Sequence, residues 1–220
     1  MPVTRGGRST GLVRRRGVDV SPDSLLPWGR HMVTTPLRTA VDLAASLRFM
    51  EAVAVADRFL WGRRPGGPLV RPAEFRDAAE LRAGRGSARA LRTAEFATPL
   101  SDSIRESQSR VLIAMLGFPD PVLQARFSLS DGREALTDFF WPDQRHIGEF
   151  DGAEKYRDPA LLRGLSPEQA LLAEKDREDE LRRQVRAFSR WRTPALRQPA
   201  LLWDILTRAG LPSSRPRPGR

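Results

Sequence analysis

The chain has 220 residues, of which 40% are hydrophobic and 29% charged, and its formal net charge is +10 at pH 7. This length suffices for one large domain or two small ones with a folded core. The absence of cysteine excludes disulfides, zinc ribbons and thiol catalysis, and two histidines are too few for a typical zinc enzyme. No apolar run is long enough to predict a transmembrane helix, so we expect a cytoplasmic protein without membrane contacts.

Residues 1–97 predict short β pieces followed by helices. Thr35 and Pro36 favour a helix start, because Thr is a good N-cap and Pro is tolerated at the first helical position. Gly84 and Gly86 break a later helical stretch into two. The expected elements are disordered residues at 1–10, β pieces at 11–14 and 31–34, helices at 35–45 and 48–60, and two helices within 72–96.

Residues 98–211 predict an α/β domain. Its expected elements are a helix at 101–116, strands at 121–129 and on both sides of a turn at 142–145, a helix at 166–184, a strand at 185–191 and a helix at 198–209. Residues 111–116 are apolar all round, which predicts deep burial for the end of the first helix. Residues 212–220 are rich in Pro, Arg and Ser and are expected to form a disordered tail.

Positive charge is concentrated near the C-terminus. Residues 181–220 contain ten arginines and a single acidic residue, Asp204. Such a stretch favours a polyanionic partner, with nucleic acid as the first candidate. The alternative is an arginine-rich surface that reflects genomic base composition. The only lysines are Lys155 and Lys175, and both follow an acidic segment of the chain.

That acidic segment predicts a β-hairpin. Residues 142–145 are typical of a tight turn, and both flanks are rich in aromatic and β-branched residues. A turn centred between residues 143 and 144 gives the pairs Trp141 with His146, Phe140 with Ile147, and Asp138 with Glu149. Asp151 lies two residues beyond Glu149 and therefore shares its face of the strand.

Three carboxylates on one face repel each other, and a hard cation such as Mg²⁺ between them would relieve the repulsion. We therefore expect Asp138→Asn and Glu149→Gln to stabilise the metal-free protein. The alternatives are solvated carboxylates, or a register shift of one residue that moves Asp138 to the other face.

Several sequence blocks occur in a recognisable order. They are Ser103–Arg110, Gly117–Gln124, Thr137–Pro142, Gly148–Tyr156, Glu174–Arg182 and Arg190–Trp191. Together they resemble the PD-(D/E)xK nuclease superfamily, in particular the very-short-patch-repair-like (Vsr-like) endonuclease domains of actinobacterial proteins grouped with type IV abortive-infection antitoxins. Residues 14–18 and 33–43 resemble the antitoxin-like N-terminal region of those proteins. The winged helix that often precedes this region is not expected to be complete here.

The resemblance implies a restriction-endonuclease-like core, a mixed sheet flanked by helices, at residues 98–211. It implies a metal-dependent DNA endonuclease that hydrolyses phosphodiester bonds with Mg²⁺ or Mn²⁺. The alternative is a non-catalytic DNA- or protein-binding antitoxin or regulator on the same fold, with a cognate toxin or a second copy of the chain as possible partners.

The resemblance also assigns roles to individual residues. Asp138, Glu149 and Asp151 would hold the metal ion, although Asp151 stands where the superfamily usually has a lysine. Glu106 would project toward the same site, and Lys155 or Lys175 would stabilise the developing charge or orient the attacking water. The candidates for phosphate contacts are Arg177, Arg182 and Arg190.

Structural alternatives exist for several of these residues. Glu106 could pair with Arg110, four residues later on the same helix. The acidic residues at 174–179 could form a solvated helix face. The tryptophans expected in the core rather than at a binding surface are Trp141, Trp191 and Trp203.

Overall fold

The computed structural model describes residue 11, residues 20–152 and residues 166–219. Within these residues the protein is an α/β structure with a mixed four-stranded sheet, a separate two-stranded hairpin and eight α-helices. None of the described helices is long and apolar enough to cross a membrane. Lys155 and most of the β piece predicted at 11–14 lie outside the described residues.

The N-terminal half is a hairpin followed by four packed helices, in the predicted order. The elements are β1 (Leu25–Trp28), β2 (His31–Thr34), α1 (Pro36–Ser46), α2 (Phe49–Leu60), α3 (Pro72–Glu80) and α4 (Ser87–Phe96). The predicted cap of α1 is confirmed, because the Thr35 hydroxyl accepts a hydrogen bond from the Arg38 amide at 3.2 Å. Small and apolar residues, including Ala44, Leu60 and Phe75, form the core between these helices.

The C-terminal half contains the larger sheet. Its elements are α5 (Ile104–Met115), β3 (Val122–Ser128), β4 (Glu134–Trp141), β5 (His146–Phe150), α6 (Pro167–Gln184), β6 (Ala187–Trp191), α7 (Thr193–Arg197) and α8 (Pro199–Arg208). The strand order is β3-β4-β5-β6, with antiparallel pairing up to β5 and parallel pairing of β5 with β6. Parallel neighbours require a crossover connection, and α6 lies within it.

The sheet is covered on both faces. On one face Phe139 and Trp191 pack 5.4 Å apart, within a cluster that includes residues of α5 and α8. Trp141 and Trp191 belong to this cluster, which confirms their predicted place in the core, whereas Trp203 is partly buried and packs against it. On the other face Ile147 of β5 packs with Leu181 of α6. Because successive residues of a strand point to opposite faces, α5 and α6 lie on opposite sides of the sheet.

The regular pairing of β3 with β4 is interrupted where Gln124 faces Asp138. Gln124 lies opposite Asp138 on β3, is missing from the paired register and has a φ of +51°, a conformation that is uncommon outside glycine. Phe127 pairs in register with Ala135, yet its ring lies 5.0 Å from that of Phe140. Five residues of straight strand span roughly 16 Å, so the outer part of the β3–β4 hairpin must curl back over the sheet. Asp138 lies at this interruption, where the pairing of β4 with β5 also ends.

A buried ion pair joins the N-terminal helices to α5. The Arg110 guanidinium lies 3.0 Å from the carboxylate of Asp57, which is fully buried. Asp57 also accepts a hydrogen bond from the Thr98 amide at 2.8 Å, and Arg110 donates to the Phe96 carbonyl at 2.7 Å. Arg110 therefore belongs to this junction and does not form the ion pair with Glu106 that was the structural alternative.

The C-terminal tail differs from the predicted disorder. The Ser213 hydroxyl donates to the Leu116 carbonyl at 2.7 Å, and the Ser214 amide donates to the Gly117 carbonyl at 2.9 Å. Gly117 has a φ of +77°, and a Cβ there would lie 2.6 Å from the Ser214 hydroxyl oxygen. Residues 213–215 therefore contact the end of α5, where the glycine allows the close approach, and Arg217 pairs with Asp204 of α8.

Candidate functional site: an arginine–carboxylate network

The predicted register of the acidic hairpin is confirmed over most of its length. The pairs present are Trp141 with His146, Phe140 with Ile147 and Phe139 with Gly148. The next predicted pair, Asp138 with Glu149, does not form, because the ladder between β4 and β5 ends one pair earlier. Asp138 instead accepts a hydrogen bond from the Phe150 amide at 2.8 Å through Oδ2. The side chain thus satisfies a backbone donor at the point where the two strands separate.

Glu149 is buried and both of its oxygens are occupied by arginines. Oε1 accepts from Arg177 Nη2 at 2.7 Å, and Oε2 accepts from Arg190 Nη2 at 3.0 Å. Arg190 is the register partner of Glu149 on β6, and Arg177 reaches down from α6. The side chain of Glu149 is only 9% exposed, so water does little to satisfy its charge.

Two more carboxylates complete a charge-balanced network. Glu174 accepts from Arg177 at 3.0 Å and from Arg190 at 2.6 Å, and Glu178 lies 2.8 Å from Arg190. Arg182 pairs with Glu178 at the edge of the cluster. We refer to these side chains as the arginine–carboxylate network: Glu149, Glu174, Glu178, Arg177, Arg182 and Arg190. Its three carboxylates and three guanidinium groups leave no formal excess charge.

The two inner arginines remain firmly protonated. Burial alone would lower the pKa of the Arg177 guanidinium, but the charge of Glu149 and the hydrogen bond to it outweigh burial and raise that pKa. The same balance raises the pKa of Arg190, with Glu149 contributing most and Glu178 next. The network is thus built from fixed charges, whose removal leaves a buried partner without compensation.

Asp151 is also paired with an arginine. Its Oδ2 accepts from Arg192 Nε at 2.8 Å, and its amide donates to the Trp191 carbonyl at 2.8 Å. The pair repeats the arrangement of Glu149 and Arg190 one residue beyond the ends of β5 and β6. Cross-strand pairs of opposite charge stabilise a sheet, and the mutual repulsion predicted for the acids is absent where each has its own cation.

Glu106 and Lys175 do not take part in this network. Glu106 Oε2 accepts from the Asp102 amide at 2.8 Å and from Gln124 Nε2 at 3.3 Å. Gln124 lies opposite Asp138, so Glu106 lies near this part of β4, where it helps to hold the start of α5. Lys175 is exposed on α6, and Lys155 lies outside the described residues.

Two of the three predicted magnesium ligands, Glu149 and Asp151, are paired with arginines in this structure. Across residues 20–152 and 166–219, no three acidic or histidine side chains lie close enough together to hold a metal ion. Carboxylates are suitable ligands for Mg²⁺. However, guanidinium groups occupy both oxygens of Glu149, and Arg192 holds Asp151.

The predicted phosphate-binding arginines are all engaged in the network, namely Arg177, Arg182 and Arg190. Glu174 and Glu178 were expected on a solvated face but belong to the network, whereas Asp176 and Asp179 are exposed, as expected. The spacing of residues along α6 could have predicted part of the network. Its members at 174, 177 and 178 have the i, i+3, i+4, i+7 spacing with residue 181, so they lie on the helix face that meets the core.

Comparisons with known proteins give relatives but no established function. Two uncharacterised proteins of Mycobacterium tuberculosis, one from each of two strains, are each 33% identical to this chain over 132 residues. The match covers 60% of this chain and 47% of each relative, so the chain spans about half the length of the curated relatives it matches. No family model matches the sequence. No solved structure matches it either.

Proposed function

We propose that this protein binds DNA through a restriction-endonuclease-like core whose acidic site is held closed by arginines and does not cleave. The order of α5, three antiparallel strands, α6 and the parallel strand β6 is the order that the nuclease resemblance implies. The net charge of +10 supports a polyanionic partner.

The observation that carries this proposal is the occupation of both Glu149 oxygens by Arg177 and Arg190. A carboxylate that serves as a metal ligand needs at least one oxygen available to the ion. Here both oxygens already accept hydrogen bonds from partly buried guanidinium groups, so an ion would have to displace an arginine or bind beside its positive charge, and either costs free energy. This cost favours a structural role for Glu149.

Metal-dependent hydrolysis of DNA is the second candidate. It is favoured by the position of Asp138, which lies on β4 beside the end of β5, where the resemblance implies a metal ligand. Hydrolysis with Mg²⁺ or Mn²⁺ would require Glu149 to leave its two arginines or to take no part in metal binding. Lys155 and Lys175 remain the candidate lysines for that reaction.

A paired binding and cleavage experiment separates the two functions. Binding of a fluorescein-labelled DNA duplex is followed by anisotropy at several salt concentrations, with cleavage of the same duplex assayed in Mg²⁺ and Mn²⁺. We expect the logarithm of the affinity to fall linearly with the logarithm of salt concentration, because phosphate contacts release counterions. We expect no cleavage by the wild-type protein or by Asp138→Ala.

The outcomes are distinct. Cleavage by the wild type that Asp138→Ala abolishes, in protein that still binds DNA, would overturn the non-catalytic proposal in favour of hydrolysis. The absence of any salt-dependent DNA binding would reject both functions. Single-stranded and mismatched duplexes belong in the same series, because the resemblance includes repair-like endonucleases.

A further inference from the structure

A groove on the opposite side of the sheet from the network lies between α2, α4, α5 and the C-terminal tail. It has a volume of about 350 Å³, within the range of small-molecule sites. Its lining is mostly apolar with charged residues among it: Phe49, Arg92, Glu95, Phe96, Val111, Ala114, Met115 and Arg215. Met115 is 48% exposed although it lies on a helix that is otherwise largely buried, so the groove presents apolar surface to solvent.

The tail places Arg215 at this groove. The Arg215 guanidinium donates to the Met115 carbonyl at 2.9 Å, and its amide donates to the Ser213 hydroxyl at 3.0 Å. Ser213 in turn holds the Leu116 carbonyl, so the tail is fixed to the end of α5 through side chain and backbone. The tail, whose composition predicts disorder, is thus held in a defined position. This position places the Arg215 guanidinium beside the apolar residues of the groove.

A second cation lies on a rigid element of the groove. The Arg92 guanidinium lies 4.0 Å above the Phe49 ring, and that ring meets Phe96 edge-on with the ring centroids 5.4 Å apart. Within the described part of the chain, neither Arg92 nor Arg215 forms an ion pair with a carboxylate, although Glu95 also lines the groove. The lining therefore combines an apolar floor with a net positive charge.

We propose that this groove binds a small amphipathic anion, a carboxylate with an aromatic or branched apolar body. The body lies on the floor formed by Phe96, Ala114 and Met115. The carboxylate accepts hydrogen bonds from Arg92 and Arg215, because guanidinium groups bind carboxylates in planar, charge-assisted geometry. The site is separate from the arginine–carboxylate network and does not depend on DNA binding.

Matched probes test the proposal. Phenylbutyrate carries the required anion and phenylbutanol has a similar body without charge, and both are titrated into the full chain with ligand-observed NMR. We expect saturable binding of phenylbutyrate, about tenfold tighter than that of phenylbutanol, since hydrogen bonds to charged groups contribute that much. Arg92→Gln and Arg215→Gln should each weaken phenylbutyrate binding by roughly threefold to tenfold and leave phenylbutanol unchanged.

Controls keep the test decisive. Arg183→Gln removes an exposed arginine on α6, away from the groove, and should bind phenylbutyrate as the wild type does. Arg92 lies on a helix, so Arg92→Gln tests the anion contact even if Arg215→Gln loosens the tail. Equal affinity for the acid and the alcohol, unchanged affinity in both groove variants, or no binding to the wild type would each overturn the proposal.

Discussion

Gly148 and Glu149 are consecutive residues of β5 and face two very different surroundings. Gly148 points into an aromatic cluster, where a Cβ would lie 2.7 Å from Trp191 and 3.0 Å from Trp141. Glu149 points to the other face, where two arginines hold its carboxylate. One face of the strand is thus stabilised by close packing of aromatic rings, and the other by pairing of opposite charges.

The comparison shows that a buried apolar face and a buried charged face are stable under different conditions. An apolar face is stable when volume is filled, and it tolerates exchanges that conserve volume. A charged face is stable only when every charge keeps its partner, because an unpaired buried charge costs far more than the intact pair contributes. The difference explains how Glu149, which was predicted to repel neighbouring acids, is accommodated in a buried position by Arg177 and Arg190.

Removal of the Glu149 charge should have the largest effect. We expect Glu149→Gln to lower the free energy of unfolding by about 2–4 kcal/mol, since Arg177 and Arg190 lose their shared partner while partly buried. Urea denaturation of the metal-free protein measures this change. Asp176→Asn, on the exposed side of α6, should change stability by less than about 0.5 kcal/mol. A stabilising effect of Glu149→Gln would instead support the like-charge repulsion predicted from the sequence.

Addition of one methyl group on the opposite face should have the next largest effect. Gly148→Ala would force Trp191 and Trp141 to move, and overpacking of this kind costs about 1–3 kcal/mol. Gly152→Ala is the matched control, because among the described residues the nearest atom to its Cβ would be 3.9 Å away, an ordinary contact. Chemical denaturation of the two variants should therefore differ clearly. Equal stabilities would show that the aromatic cluster can relax.

The sequence predicts the order of the elements well, and the reasons are local. The cap at Thr35, the glycine break before α4 and the turn at residues 142–145 each act over a few residues, so short-range preferences suffice. The hairpin register follows in the same way, because a tight turn fixes which residues face each other. Two predicted pairs, Trp141 with His146 and Phe140 with Ile147, are present in the structure.

The candidate site was harder to predict, because its partners are distant in the chain. Arg177 and Arg190 meet Glu149 only when α6 crosses the sheet and β6 joins β5. The ladder between β4 and β5 also ends one pair too early for the predicted facing acids. Likewise, the order of the tail depends on its contacts with the end of α5 and not on its own composition.

A titratable side chain, His146, lies on the apolar face and makes the stability of the protein depend on pH. His146 is fully buried, its Nε2 lies 2.9 Å from the Ser189 hydroxyl, and burial lowers its pKa from 6.5 to about 4. Below about pH 6.5 the unfolded chain takes up a proton that the folded protein does not, so stability is lost as pH falls toward about 4. Between about pH 7 and pH 5 the loss should be about 1–2 kcal/mol.

Urea denaturation at the two pH values measures this dependence. His146→Gln keeps an amide near Ser189 and should lose most of the difference between the two pH values. The chain contains only one other histidine, the exposed His31, so His31→Gln is the natural control and should behave as the wild type does. An equal pH dependence in His146→Gln and the wild type would assign the effect to other groups.

The contrast between paired and unpaired arginines continues along α6 and the residues that follow it, and it gives the smallest expected effect. Arg177 points inward to Glu149, whereas Arg183 and Arg186 are exposed and form no ion pair within the described residues. If the protein binds DNA, the exposed arginines can contact phosphates without giving up a carboxylate. Arg183→Gln and Arg186→Gln should each weaken duplex binding a few-fold and reduce the salt slope by about one.

The control is Arg126→Gln, which removes an exposed arginine that is paired with Glu134. This variant should have less effect in the same anisotropy titrations, because the charge of Arg126 is already balanced. Equal losses in all three variants would show that net charge alone, and not pairing, decides which arginines bind DNA.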